Sequence, residues 1–108
     1  MNAATKPRRP IQLDECSRTV VAHGRRRVGL SPQQVMILGL LAQKKGGVLS
    51  HEELARAHDP DVHLVSARKL VAVRISQIRA LLAGARIPLS IRAVHGRGYR
   101  LKTEMEVA

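Results

Sequence analysis

Residues Val65 to Leu82 read VSARKLVAVRISQIRALL, and the fold follows from how this run divides its side chains. At 100° per residue, Ala67, Val71, Ile75, Ile78 and Leu82 fall on one stripe, the spacing of a helix face packed on a core. Opposite them stand Lys69, Val73, Ser76, Gln77 and Ala80, with Arg68, Ala72 and Arg79 on one flank and Leu70 and Arg74 on the other. A merely solvated face would mix signs, with Glu set near Lys or Arg for i,i+4 support, yet the run holds no acidic residue. The missing carboxylates imply an anionic partner for the outer face.

The rest of the chain widens that charge asymmetry. Its 108 residues fit one small domain with a single core. The formal charge is +11 and the pI near 11.5, a balance that favours polyanionic partners, nucleic acid first among them. From Val62 to Thr103 there are nine Lys or Arg residues (Arg68, Lys69, Arg74, Arg79, Arg86, Arg92, Arg97, Arg100 and Lys102) and no Asp or Glu. Tyr99 is the only aromatic residue, so Leu, Val, Ile and Ala must fill the core, and base stacking of the kind used on single strands is not expected. A basic membrane-surface protein would need an apolar helix face free for lipid, and here that face is committed to the core. No run is long and apolar enough to cross a bilayer, no hydrophobic signal segment opens the chain, and the lone Cys16 suits a reducing compartment. The expectation is a cytoplasmic, nucleoid-associated protein.

Upstream of the long helix the organisation is legible in pieces. Residues 1–10, MNAATKPRRP, read as a disordered basic arm in which Lys6, Arg8 and Arg9 are available to phosphates. Ile11–Glu15, Arg18–Ala22 and Arg26–Leu30 read as a small antiparallel sheet, with turns around Cys16 and at His23-Gly24 and a basic trio Arg25 to Arg27 at the second turn. Ser31-Pro32-Gln33-Gln34 combines an N-cap, a proline at the first helical position and a capping-box Gln. The helix it opens carries Val35, Ile37, Leu38, Leu41 and Ala42 inward, and Lys44-Lys45-Gly46-Gly47 ends it. Val48-Leu49 is strand-like, and Ser50 with Glu53 forms a second capping box that opens a short helix to about Ala57, with Leu54 and Ala57 in the core. The loop His58 to Leu64 leads to a cap near Ser66, and Gly84 closes the long helix.

Downstream, Ile91–Val94 and Tyr99–Lys102 flank His95-Gly96-Arg97-Gly98, a hairpin with a glycine-rich tip. Tyr99 and Leu101 share one face of its second strand, Arg100 and Lys102 the other. The last residues, 104–108, read as a tail without a motif, leaving a folded domain over 11–103.

Sheet, helix, short strand, short helix, loop, long helix and hairpin make an α+β winged helix-turn-helix. The segments LSPQQ (30–34), GGVLSHEEL (46–54), VAVRISQIRALL (71–82) and AVHGRGYRL (93–101) resemble the effector domain of OmpR/PhoB-type bacterial response regulators. The family's N-terminal sheet has four strands, and only three are evident here. No receiver domain precedes the effector in this chain, so control by phosphotransfer is not expected, and the aromatic residues common in the family's first two helices are missing.

The resemblance implies a sequence-specific regulator of transcription bound to double-stranded DNA, with the third helix in the major groove and the wing at the minor groove. It also implies tandem or dimeric binding on DNA and an RNA polymerase contact on the loop 58–64. Carried over by position, DNA contacts fall on Lys69, Leu70, Ala72, Val73, Arg74, Ser76, Gln77 and Arg79 in the helix; the basic flank of the helix and the wing add Arg68, His95, Arg97 and Arg100. Arg68, Lys69, Arg74, Arg79 and Arg100 suit phosphates. Val73, Ser76, Gln77 and Arg97 suit reading, with Val73 against a thymine methyl and Gln77 in a bidentate pair with adenine. His95 stands where the family usually has arginine, which moves minor-groove reading to Arg97, favoured in a narrow A·T-rich groove.

Two other functions fit the same architecture: a protein-binding adaptor, for which an exposed apolar patch is the discriminating feature, and a sequence-independent architectural DNA binder. Enzymatic activity is not expected, and neither is a cofactor or metal. There is no phosphate loop, the run His51-Glu52-Glu53-Leu54-Ala55 lacks the second His of an HExxH motif, and the five histidines have no zinc-ligand spacing.

Overall fold

The computed structural model describes residues 11–23, 25–61, 63–103 and 105–107; the arm with Lys6, Arg8 and Arg9 lies outside them, as does Gly24 of the second turn. In chain order the elements are β1 (Ile11–Asp14), β2 (Thr19–Ala22), β3 (Arg26–Gly29), α1 (Pro32–Gln43), β4 (Leu49–Ser50), α2 (His51–His58), α3 (Leu64–Gly84), β5 (Ile91–Val94), β6 (Gly98–Leu101) and β7 (Met105–Val107). This is the expected α+β winged helix-turn-helix with two additions, a strand at the end of the chain and a sheet that joins the wing to α2.

The first sheet has the order β3-β2-β1-β7. β1 and β2 run antiparallel with Ile11 opposite Ala22, and their alternate residues Ile11, Leu13, Val20 and Ala22 are buried. The fourth strand, absent from the sequence reading, is β7. It lies parallel to β1 with Ile11 beside Met105, so the sheet is mixed rather than antiparallel and residues 105–107 are not a loose tail. A cross-strand bond from Gln12 Nε2 to Glu106 Oε1 (3.2 Å) sets the register, and Met105 is buried against the core. Three residues paired to a strand at the far end of the chain leave no local signal, since neither a hairpin turn nor a full period-2 pattern accompanies them.

Both capping boxes form. Ser31 Oγ accepts from the Gln34 amide at 3.2 Å while the Ser31 amide donates to Gln34 Oε1 at 2.8 Å. Ser50 and Glu53 exchange the same pair of bonds at 3.0 and 2.9 Å. The Ser50 amide, and after it the Ser50 hydroxyl, hold the Glu53 carboxyl below its ordinary value of 4.5. A lowered carboxylate stabilises the fold above its ordinary range, and the contribution is lost as pH falls through the lowered value. Thermal unfolding across that acid range should therefore decline less steeply for Glu53→Gln, which keeps the acceptor but not the charge, than for the parent protein. An unchanged pH profile in Glu53→Gln would refute this account.

The three helices bury Val35, Ile37, Leu38, Leu41 and Ala42 of α1, Leu54 and Ala55 of α2, and Ala67, Val71, Ile75, Ile78 and Leu82 of α3. The α1 and α3 stripes are those read from the sequence. In α2 the second core residue is Ala55 and not Ala57, which is only half-buried, because this helix is packed between α1 and α3 and buries adjacent positions. α3 is also longer than expected. It starts from His63, an N-cap without a side-chain bond, while Ser66 lies exposed inside the first turn.

Candidate nucleic-acid interface

The second sheet, in the order β4-β6-β5, places the wing. β5 and β6 pair antiparallel with Val94 opposite Gly98, and the Arg97 amide closes the tip by donating to Val94 O at 2.9 Å. The inner strand β6 also pairs with β4, setting Leu49 opposite Tyr99 and Ser50 opposite Gly98. Ser50 is the N-cap of α2, so the wing is bonded directly to the start of the helix-turn-helix. This pairing explains one of the two tip glycines. Gly98 has φ +156°, and a Cβ there would run into the backbone of Leu49 and Ser50. Gly96, with φ +70° and open space around it, serves only the reversal of the chain.

On α3, Arg68, Lys69, Ala72, Val73, Ser76, Gln77, Arg79 and Ala80 are exposed, as the helical plot requires, with Val73 at 46%. Leu70 and Arg74 are half-buried, and Leu70 leans on the core. At the wing tip His95, Gly96 and Arg97 are exposed. Arg68 and Arg97 come together across a notch of about 250 Å³ lined also by Ser50, His51, Glu52, Ala67 and Gly96. His51 stands edge-on to Tyr99 there, with ring centroids 5.4 Å apart. Partial burial, and secondly the positive charge of Arg68, push its pKa below the usual 6.5, so the ring is neutral at neutral pH. The sequence reading missed the Ser50-His51 side of this notch, for which the capping box marking the start of α2 was the available signal.

Three of the expected contact residues have partners inside the protein. Arg79 turns toward the wing, donating from Nη2 to Ile91 O at 2.7 Å, with its guanidinium 5.9 Å from the Tyr99 ring centroid. It is a strut between α3 and the hairpin. Arg74 donates from Nη1 to Gln77 Oε1 at 3.1 Å, and the same oxygen accepts from Gln34 Nε2 at 3.5 Å. Arg100 departs further. It lines a separate cleft of about 770 Å³ with Lys45, Lys102, Glu106 and other residues of α1, β6 and β7, none of them from α3. Gln34 is the functional candidate that sequence reasoning did not find. It is the buried polar residue among the described ones, and a capping-box Gln, unlike Glu, has an amide nitrogen left over for a second partner.

No helix of the structure is long and apolar enough to cross a membrane among the described residues. Comparison with curated proteins finds no match. Solved structures are similar in fold over most of the chain. The DNA-binding domain of E. coli CadC has a TM-score of 0.67 at 24% identity, covering 90% of this chain and 95% of its own. The DNA-binding domain of response regulator AdeR, solved in complex with an intercistronic region, has a TM-score of 0.72 at 23% identity over 91% and 99%. The C-terminal domain of the nisin resistance regulator NsrR, a lantibiotic response regulator, has a TM-score of 0.63 at 24% identity over 79% and 84%. The family model for the C-terminal domain of transcriptional regulatory proteins matches residues 24–101, from the turn before β3 to the end of the wing. With helix-turn-helix, wing and their linking sheet all inside that span, the chain belongs to this family, the OmpR/PhoB-type winged-helix DNA-binding domains of transcription regulators.

Proposed function

We propose that this domain reads double-stranded DNA by sequence, with α3 in the major groove and the wing at the adjacent minor groove. The observation that carries the reading is the convergence of Arg68 on α3 with Arg97 at the wing tip around one notch, beside an exposed helix face without a carboxylate. Phosphates would be held by Arg68, Lys69 and the α2 start, and bases read by Val73, Ser76 and Gln77, with Arg97 at the minor groove and His95 beside it. Arg79 contributes by holding the wing, and Arg100 lines a different cleft. Contact of segment 58–64 with RNA polymerase, tandem or dimeric binding, and a place on the nucleoid belong to the same proposal and rest on the family alone.

The test is selection from a randomised double-stranded pool, followed by affinity for the winner and for scrambled DNA across a salt series. The expected result is an enriched motif bound at least about a thousandfold more tightly than scrambled DNA. Arg68→Ala should weaken all sequences alike and reduce the salt slope by about one. Tight binding without a motif would mean an architectural protein, and absence of binding would leave an adaptor that meets proteins through this face. Either result overturns the proposal.

A further inference from the structure

We infer that Gln77 presents only hydrogen-bond donors to the DNA, that Gln34 and Arg74 set this polarity from inside the protein, and that Gln77 therefore selects a G·C pair, whose guanine sets two acceptors side by side on its major-groove edge, over an A·T pair. The inference rests on the proposed DNA-reading function and specifies one part of it.

The orientation of each amide is fixed by groups that can only donate. The Ser31 backbone N–H ends on Gln34 at 2.8 Å, so the atom it meets must be Gln34 Oε1, and Nε2 is the end turned toward α3. The Arg74 guanidinium has no acceptor, so the Gln77 atom 3.1 Å from it must be Oε1. Gln34 Nε2 reaches that same oxygen at 3.5 Å. Two donors then face the Gln77 carbonyl, the closer from Arg74 at 3.1 Å, and reversing either amide would set donor against donor. The Gln77 Nε2 with its two hydrogens is what remains for a ligand.

The major groove tells such a group one thing. Guanine offers N7 and O6 side by side, one acceptor for each hydrogen of the amide, whereas in an A·T pair the adenine N6 amino donor stands between adenine N7 and thymine O4. The usual pairing of glutamine with adenine needs the carbonyl to receive the N6 amino group while the amide donates to N7. Here that carbonyl is taken up by Arg74 and Gln34, so on this inference the adenine pairing expected from the sequence is not the one made. Gln34 is a positioning residue: it is buried and acts only through Gln77.

The experiment is binding-site selection on the full chain for the parent, Gln77→Ala and Gln34→Glu. Ser-x-x-Glu is itself a capping box, so Gln34→Glu keeps the start of α1 while replacing the inward donor with an acceptor that competes for Arg74 and for Gln77 Nε2, so that the Gln77 amide loses its single orientation. The base pair that loses its preference in Gln77→Ala should be G·C in the parent and should lose that preference in Gln34→Glu, with the remaining positions unaltered. Changing that pair to A·T should weaken the parent about tenfold or more. A purely structural Gln34 would lower affinity for every sequence without moving any one position. If Gln34→Glu does not fold by circular dichroism, Gln34→Met replaces it and should blunt discrimination at the same position. An A·T pair there in the parent, a motif with no position dependent on Gln77, or a position unmoved by Gln34 substitution would each overturn this inference while leaving the DNA-reading function standing. A pool without any motif overturns both.

Discussion

Gly98→Ala is expected to cost the domain about 3 kcal/mol or more, a large part of the 5–15 kcal/mol typical of a domain this size. Two costs combine. The backbone at φ +156° is a conformation that side chains rarely adopt, and the added methyl meets the Leu49 carbonyl and the Ser50 Cα, which are backbone atoms and cannot swing aside. Relief requires β6 to leave β4, and with it the wing leaves the start of α2. The midpoint of thermal unfolding should fall by roughly 15 °C. Gly96→Ala is the internal comparison, since that site has positive φ but open space, and should cost only about 1–2 kcal/mol. Equal effects of the two substitutions would show that β4 and β6 are not held together as the structure has them.

Ending the chain after Thr103 should have an effect of similar size. It removes Met105, which is buried to 8% exposure, and the whole of β7. Loss of a buried methionine side chain alone is worth about 2–5 kcal/mol. It also bares the edge of β1, whose unpaired backbone groups then offer a template to a second chain. Unfolding at a lower temperature, with aggregation on heating, is the expected outcome, measured by circular dichroism and light scattering. Glu106→Ala, which loses only the exposed bond to Gln12, should stay within about 0.5 kcal/mol of the parent. A truncated chain as stable as the parent would mean that β7 contributes nothing to the sheet.

These two sites mark where sequence stops being informative. The helices were legible because their signals are local: Ser31-Pro32-Gln34 and Ser50-Glu53 each specify a start within four residues, and the apolar stripe of α3 needs only its own period. The wing was legible from its glycines for a similar reason. What the sequence concealed depends on pairs distant along the chain. Gly98 reads as a turn residue, and its stricter reason, the approach of β4, involves residues 49 and 50. Met105 to Val107 acquire meaning only beside β1.

The candidate site divides the same way. Exposure of Arg68, Lys69, Val73, Ser76 and Gln77 followed from helical geometry, and the structure places them on the outer face. Which of these side chains are free to meet a partner did not follow. Arg79 reads as one more basic residue on that face until Ile91 O and Tyr99 are seen to receive it. Gln34 reads as half of a helix cap, and only the packing of α1 against α3 reveals what its other end touches. The start of α3 was misplaced by three residues, because Ser66 has a capping side chain and His63, which occupies the position, makes no such bond.

The strand pairing of β6 with β4, together with the Arg79 strut from α3 to β5, closes a ring through α2, the hairpin and α3. Closed in this way, the hairpin is restrained against its neighbours along both of its strands. On the proposed mode of binding, the distance from the outer face of α3 to the tip at Arg97 is therefore a fixed length, and a duplex whose two grooves do not match it must itself be bent or twisted until they do. That elastic work depends on base steps the protein never touches, being small at flexible pyrimidine-purine steps and large in stiff A-tracts. Stiffness in the protein thus becomes a preference for particular spacer sequences between the two contacted grooves, a form of selectivity that comes from the rigidity of the scaffold and not from any side chain.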